Sequence, residues 1–162
     1  MAGSAANRAI VVRMNPHEDP VPREADSPVE GSSDNARSRL LHGDLTNVII
    51  GAMYDVHTEL GAGFLESVYA NALAVVLRGL ALRVERNVAF DIMFRGVFVG
   101  RYVADLVVES TVVVETKVAR AIEPAHCAQL RNYLRAAELE VGLVLNFGTS
   151  AQFKRVVLTR QR

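Results

Sequence analysis

With 162 residues, 50% of them hydrophobic, the chain has the length for one domain with an ordinary core, and two domains would be crowded. A formal net charge of zero supplies no overall basic field of the kind that marks a nucleic-acid binder, so such a role has to rest on local patches. The single cysteine, Cys127, excludes an internal disulfide framework and a cysteine-rich zinc site and reads as helix packing. No apolar stretch approaches the ~20 residues of a membrane span, and the start lacks a secretory pattern, so the expectation is a cytoplasmic protein with no membrane partner.

Residues 1–43 hold four of the five prolines, mixed acids and arginines, and few apolar residues apart from Ile10, Val11 and Val12; they read as a disordered leader to a single domain spanning 44–162. From Asp44 the pattern changes. Leu45, Val48, Ile49, Ala52, Met53, Val56 and Leu60 recur at helical spacing, with Asp44 placed to cap and Gly61 to terminate. A second helix is expected from about Phe64, with Leu65, Val68, Ala72 and Val76 on one side, Tyr69, Leu73 and Leu77 beside them, and Gly79 as the stop. Glu66 borders that apolar stripe; it either faces the packing partner or serves as a first-turn acid favoured by the helix dipole.

Strands follow. Leu82, Val84, Val88, Phe90, Ile92 and Phe94 alternate with polar residues, Arg95-Gly96 makes a turn, and Val97–Glu109 and Thr111–Val118 read as the next two strands. Glu123-Pro124 opens a helix whose buried edge is Leu130, Leu134 and Ala137. Gln129 and Tyr133, four apart, lie side by side next to that edge, and Arg131 and Arg135 form a parallel basic row. Val141–Asn146, a Gly148-Thr149-Ser150 loop and a strand around Lys154–Leu158 complete the chain.

The chemistry concentrates in Ala104–Val118, where Asp105, Glu115 and Lys117 interrupt a Val-rich run that should be buried strand. Glu115 and Lys117 share a face because residues i and i+2 of a strand do. A turn centred on Ser110 pairs positions whose numbers sum to 220 and sets Asp105 opposite Glu115, with Cβ atoms ~5 Å apart; a one-residue slip would put Asp105 on the wrong face. Two carboxylates that close repel unless a cation lies between them, and hard oxygen ligands suit Mg2+ or Mn2+. Lysine is telling in a chain with 16 Arg and only two Lys, Lys117 and Lys154: it supplies a compact ammonium that can hold a water or steady charge on a phosphate. The alternative is a weak Glu–Lys pair on a half-exposed strand.

Helix, three antiparallel strands, helix, strand, with an acid on the second strand and Glu-x-Lys on the third, resembles the PD-(D/E)xK nuclease superfamily. Ala104-Asp105 stands for its Pro-Asp, and Glu115-Thr116-Lys117 is intact. Gln129 and Tyr133 look like the QxxxY element of RecB-like members, and Glu66 resembles the extra acid that some members carry on the first core helix. More narrowly, Gly63-Phe64-Leu65-Glu66-Ser67-Val68-Tyr69 resembles the signature of the bacterial GxxExxY family, with further likeness at Tyr102–Leu106, Gln129–Leu134 and Asn146-Phe147-Gly148. The resemblance implies an α/β chain, α+β by layout, with a restriction-endonuclease-like αβββαβ core, a mixed sheet flanked by helices and an extra N-terminal helix. It implies an Mg2+-dependent (or Mn2+-dependent) nuclease acting on DNA or RNA. Asp105, Glu115, Glu66 and the Thr116 carbonyl would serve the metal, Lys117 the attacking water, and Gln129 and Tyr133 the lysine or phosphate. Arg131, Arg135, Lys154 and Arg155 are candidate contacts to the nucleic-acid backbone. Two alternatives stay open: a silent nuclease-fold module that binds or regulates, as a homodimer or with a protein partner, and a small-molecule hydrolase using the same metal site.

Overall fold

The computed structural model describes residues 9–10 and 33–158, with side chains from residue 42 onward. Strand β1 (Ala9–Ile10) is followed by helices α1 (Ser33–Leu60) and α2 (Glu66–Gly79), strands β2 (Val84–Phe94), β3 (Val97–Val108) and β4 (Val112–Lys117), helix α3 (Pro124–Ala137), and strands β5 (Val141–Phe147) and β6 (Ala151–Val157). β1 and the start of α1 fall within the stretch expected to be a leader; the rest of 1–32 lies outside the described residues.

α1 buries Ile49, Ala52, Met53 and Val56, an i, i+3, i+4, i+7 stripe on one face. It ends as expected at Gly61, whose φ of +71° suits glycine and whose N–H returns to the His57 carbonyl at 2.9 Å. Its start differs from the expectation. The helix begins at Ser33, through Ala36, Arg37, Arg39, Leu40 and Leu41, all good helix formers, so Asp44 is an interior residue and not the cap. α2 begins at Glu66, with Leu65 in the N-cap position, and buries Tyr69, Ala70, Leu73, Ala74 and Leu77.

The strands form one sheet in the order β1-β2-β3-β4-β5-β6. β2, β3 and β4 make an antiparallel meander, and α3 carries the chain over to β5, which pairs parallel to β4; β6 returns antiparallel to β5, and the short β1 runs parallel to β2. The mixed sheet is flanked on both faces. α1 and α2 pack on Leu106, Val108, Val112, Val114, Leu143, Leu145 and Phe147, while α3 packs on Val107, Val113, Val144 and Val156 through Cys127, Leu130 and Leu134. α3 packs tightly over Gly142, where a Cβ would lie 2.8 Å from Leu130 Cδ1. β4 is therefore covered on both faces: Val112 to Thr116 are all buried. An ionisable side chain on such a strand is costly unless it is paired.

Candidate active site

The register of the β3–β4 hairpin is the one the sequence implies. Glu109 and Ser110 both take left-handed φ values of +52°, and the pairs Val108–Val112, Val107–Val113 and Leu106–Val114 each sum to 220. The ladder stops there, one step short of Asp105–Glu115. On its other side β3 pairs with β2 at Leu106–Arg86 and again at Ala104–Val88, skipping Asp105 and Asn87, whose φ is +51°. β3 coils at this point: Leu106 and Val108 face α1 and α2, whereas Ala104, of the same parity, packs with Tyr102 and Phe90 on the α3 side. The half-buried Asp105 thus stands where the sheet opens between β3 and β4. Its Oδ2 is fixed by Thr116, which donates both its backbone N–H (2.8 Å) and its hydroxyl (2.6 Å).

Glu115 and Lys117 share a face as their spacing demands, and Lys117 Nζ donates to Glu115 Oε1 at 2.9 Å. The pair is enclosed, with only 15% of the lysine side chain and 6% of the glutamate side chain exposed. Glu115 Oε2 is buried without a hydrogen-bond partner. Burial, then the nearby Asp105 carboxylate, push Glu115 up to about 7, against the hydrogen bond and charge of Lys117, which favour ionisation. Burial alone would lower Lys117, but its bond to Glu115 and the charges of Glu115, Glu66 and Asp105 outweigh that and hold it above its ordinary value, so it stays an ammonium at neutral pH.

Glu66 opens α2, which packs on the other face of the sheet; it is exposed, and its Oε1 accepts the Val118 N–H at 3.1 Å, directly beyond Lys117. Tyr69, one turn on, anchors the start of α2: its ring is fully buried against Phe147 (centroids 4.6 Å, 12° between planes), and its hydroxyl donates to the Gly61 carbonyl and accepts from the Phe64 N–H. From α3, Gln129 Nε2 donates to the Tyr133 hydroxyl at 2.9 Å, and the Tyr133 ring leans on Tyr102 at 5.1 Å. Burial and the charge of Glu115 raise Tyr133 above the usual phenol range, so it keeps its proton and remains a donor. Asp105, Glu115, Lys117, Glu66, Gln129 and Tyr133 are thus brought into one neighbourhood. Among the described residues, no group of three or more Asp, Glu, His or Cys side chains is close enough together to hold a metal ion by itself. The feature that fits a cation is the orphaned Glu115 oxygen beside a second carboxylate.

The four basic candidates are not brought together. Arg131 and Arg135 lie on the exposed side of α3, and Arg135 donates to Asn132. Lys154 and Arg155 are both exposed, but as consecutive strand residues they project from opposite faces of β6. Lys154 lies opposite Val144, and Val144 opposite Glu115, which puts Lys154 on the face of the site; Arg155 lies opposite Leu143, on the α1–α2 face.

Three contributors escaped the sequence reading. The Thr116 side chain anchors Asp105, although only its carbonyl was expected to matter. Asn146 Oδ1 accepts the Ala119 N–H at 2.8 Å and its Nδ2 donates to the Ala119 carbonyl at 2.9 Å. His57 Nε2 meets the Gly148 carbonyl at 2.8 Å, joining α1 to the loop after β5. Asn146 and Gly148 lie in the Asn-Phe-Gly stretch, to which the sequence attaches a family likeness and no role.

A mixed sheet between helices, with an acid on one strand of a hairpin and Glu-x-Lys on the next, defines a restriction-endonuclease-like domain. The family model of the PD-(D/E)XK nuclease superfamily matches residues 43–156, most of the chain, and the chain belongs to that superfamily. Nucleases of this superfamily generally use divalent metal ions. Among solved structures the chain is similar to the crystal structure of SSO0001, at 20% identity and a TM-score of 0.48 over 77% of this chain, and it spans 63% of that one. No curated protein matches. Among the described residues no helix is long and apolar enough to cross a membrane.

Proposed function

We propose that the protein is a metal-dependent nuclease of the GxxExxY type that hydrolyses phosphodiester bonds in DNA or RNA, with Mg2+ or Mn2+ as cofactor. The observation that carries this reading is the enclosed Lys117–Glu115 pair, with Glu115 Oε2 buried and unpartnered next to Asp105. A structural ion pair gains nothing from an orphaned carboxylate oxygen, which costs about 1–3 kcal/mol or more when buried. Asp105, Glu115 and the Thr116 carbonyl would hold the cation, with Glu66 reaching it through water. A divalent cation bound there supplies Lewis acidity toward the phosphate and toward a water.

The remaining roles fall to the chain itself. Lys117, kept cationic and facing the carboxylates, orients the attacking water and steadies the negative charge that builds on the phosphorus oxygens. Tyr133, kept neutral and braced by Gln129, donates to a phosphate oxygen or accepts from the Lys117 ammonium on the α3 side. Thr116 prevents Asp105 from turning away. The test is cleavage of plasmid, single-stranded DNA and RNA with Mg2+ or Mn2+. Lys117→Ala is expected to lose at least ~100-fold in rate, the scale of removing one charge-stabilising donor; equal cleavage by variant and wild type overturns the reading. The second reading, a silent binding module, is favoured by the scattering of the basic residues over two faces. Calorimetry with Mn2+ separates the two, because a silent module has no binding that depends on Asp105.

A further inference from the structure

Lys117 is the last residue of β4, its ladder to β5 ending at the Lys117–Asn146 pair, and beyond it the chain leaves the sheet. Strand ends are where frayed backbone is expected. Here the backbone of the next two residues is gripped by separate elements. The Val118 N–H goes to Glu66 on α2. Both polar groups of Ala119 are taken by one side chain, that of Asn146, which is 1% exposed. Gly148 presses on the same peptide so closely that a Cβ would lie 2.3 Å from the Ala119 oxygen, and its own carbonyl is held by His57 of α1.

We propose that Asn146 is a positioning residue for Lys117: its carboxamide continues the β4–β5 pairing past the end of the strand and so fixes the backbone from which the lysine reaches Glu115. The bearing on catalysis rests on the nuclease reading above; the positioning itself does not. Asparagine is the residue the arrangement requires. Its amide offers one acceptor to the Ala119 N–H and one donor to the Ala119 carbonyl at the reach of a single methylene. Aspartate keeps the first bond but sets a carboxylate oxygen against the carbonyl, and alanine leaves both backbone groups unpaired in a half-buried place. The two bonds span a long stretch of chain, so they tie the exit of β4 to a strand on the far side of α3. Lys117 gains a fixed point of origin without any group of Asn146 touching the reacting atoms.

The test exploits the two lysines of the chain. Protein carrying 13C-labelled lysine gives side-chain signals from Lys117 and Lys154 alone, told apart by Lys154→Arg, and their relaxation reports how freely each side chain moves. In the wild type Lys117 is expected to be rigid and Lys154 mobile. Asn146→Ala should make Lys117 mobile, with kcat falling at least ~10-fold and KM within about twofold, because misplacement acts on the step and not on binding. Leu143→Ala, a cavity in the same strand, should lower the melting temperature yet leave Lys117 rigid and kcat within about twofold. If Asn146→Ala does not fold, Asn146→Asp is read in the same way. A rigid Lys117 in the Asn146 variants overturns the proposal, and so does equal loosening by Leu143→Ala, which would make Asn146 merely structural. Absence of cleavage by the wild type overturns the nuclease reading and leaves the relaxation comparison to decide this one.

Discussion

Glu115 is the residue whose ionisation the fold and the proposed cation would pull in opposite directions. In the folded chain burial raises it from 4.5 to about 7, whereas the unfolded chain leaves it near its ordinary value. Between those two pH values the folded state holds a proton that the unfolded state has released, so the stability drawn from this group falls as pH rises through the window and levels off above about 7. In chelator, unfolding by urea should therefore cost less at pH 8 than at pH 5 by up to about 3 kcal/mol from this residue, at ~1.4 kcal/mol per pH unit. Glu115→Gln should flatten that part of the profile. A divalent cation bound at Oε2 prefers the ionised form and should reverse the sign, so that in Mn2+ the protein is more stable at pH 8 than at pH 5. An identical pH profile in wild type and Glu115→Gln would show that the group is not strained in this way.

Individual elements place these groups through close backbone approaches. Gly148 and Gly142 are both tight, but what a Cβ would meet differs: the rigid Ala119 carbonyl at 2.3 Å for Gly148, and the terminal atoms of the Leu130 side chain from 2.8 Å for Gly142. Gly148→Ala should lose more stability than Gly142→Ala, whose overpacking falls in the range of about 1–3 kcal/mol, and only Gly148→Ala should disturb the segment after Lys117. Denaturant melts of the two variants decide the order. Elements of this kind were unevenly legible in the sequence. The hairpin register could be read because a turn centred on Ser110 fixes the pairing sum, and the end of α1 because Gly61 is the residue a left-handed terminus needs. The start of α1 could not, since Ala36 to Leu41 form helix by local propensity without the apolar stripe that marks the rest. Nor could the break at Asp105, which depends on the coil of β3 opposite a left-handed Asn87. The Asn146–Ala119 clasp joins a side chain to backbone across the whole of α3, and no local pattern announces such a contact.

For the molecule as a whole, zero net charge means that long-range attraction contributes little, so on the proposed nuclease reading local charge would have to hold the polyanion. The sheet divides the basic candidates by face. Lys154 lies in the cross-strand row Glu115–Val144–Lys154, two strand spacings or ~10 Å from the glutamate, and Arg155 lies on the opposite face. On the nuclease reading proposed above, a nucleic acid whose phosphate reaches Lys117 would run over the α3 side and meet Lys154, not Arg155. Lys154→Ala should therefore weaken binding of single-stranded or duplex probes and lower the slope of log K against log salt by about 0.7–0.9, the share of one phosphate contact. Arg155→Ala should leave both affinity and slope unchanged. Fluorescence anisotropy from low to moderate salt, with Lys117→Ala to prevent turnover, measures both quantities. An equal loss in the two variants would mean that the polyanion wraps the β6 edge and does not cross the face that carries Lys117.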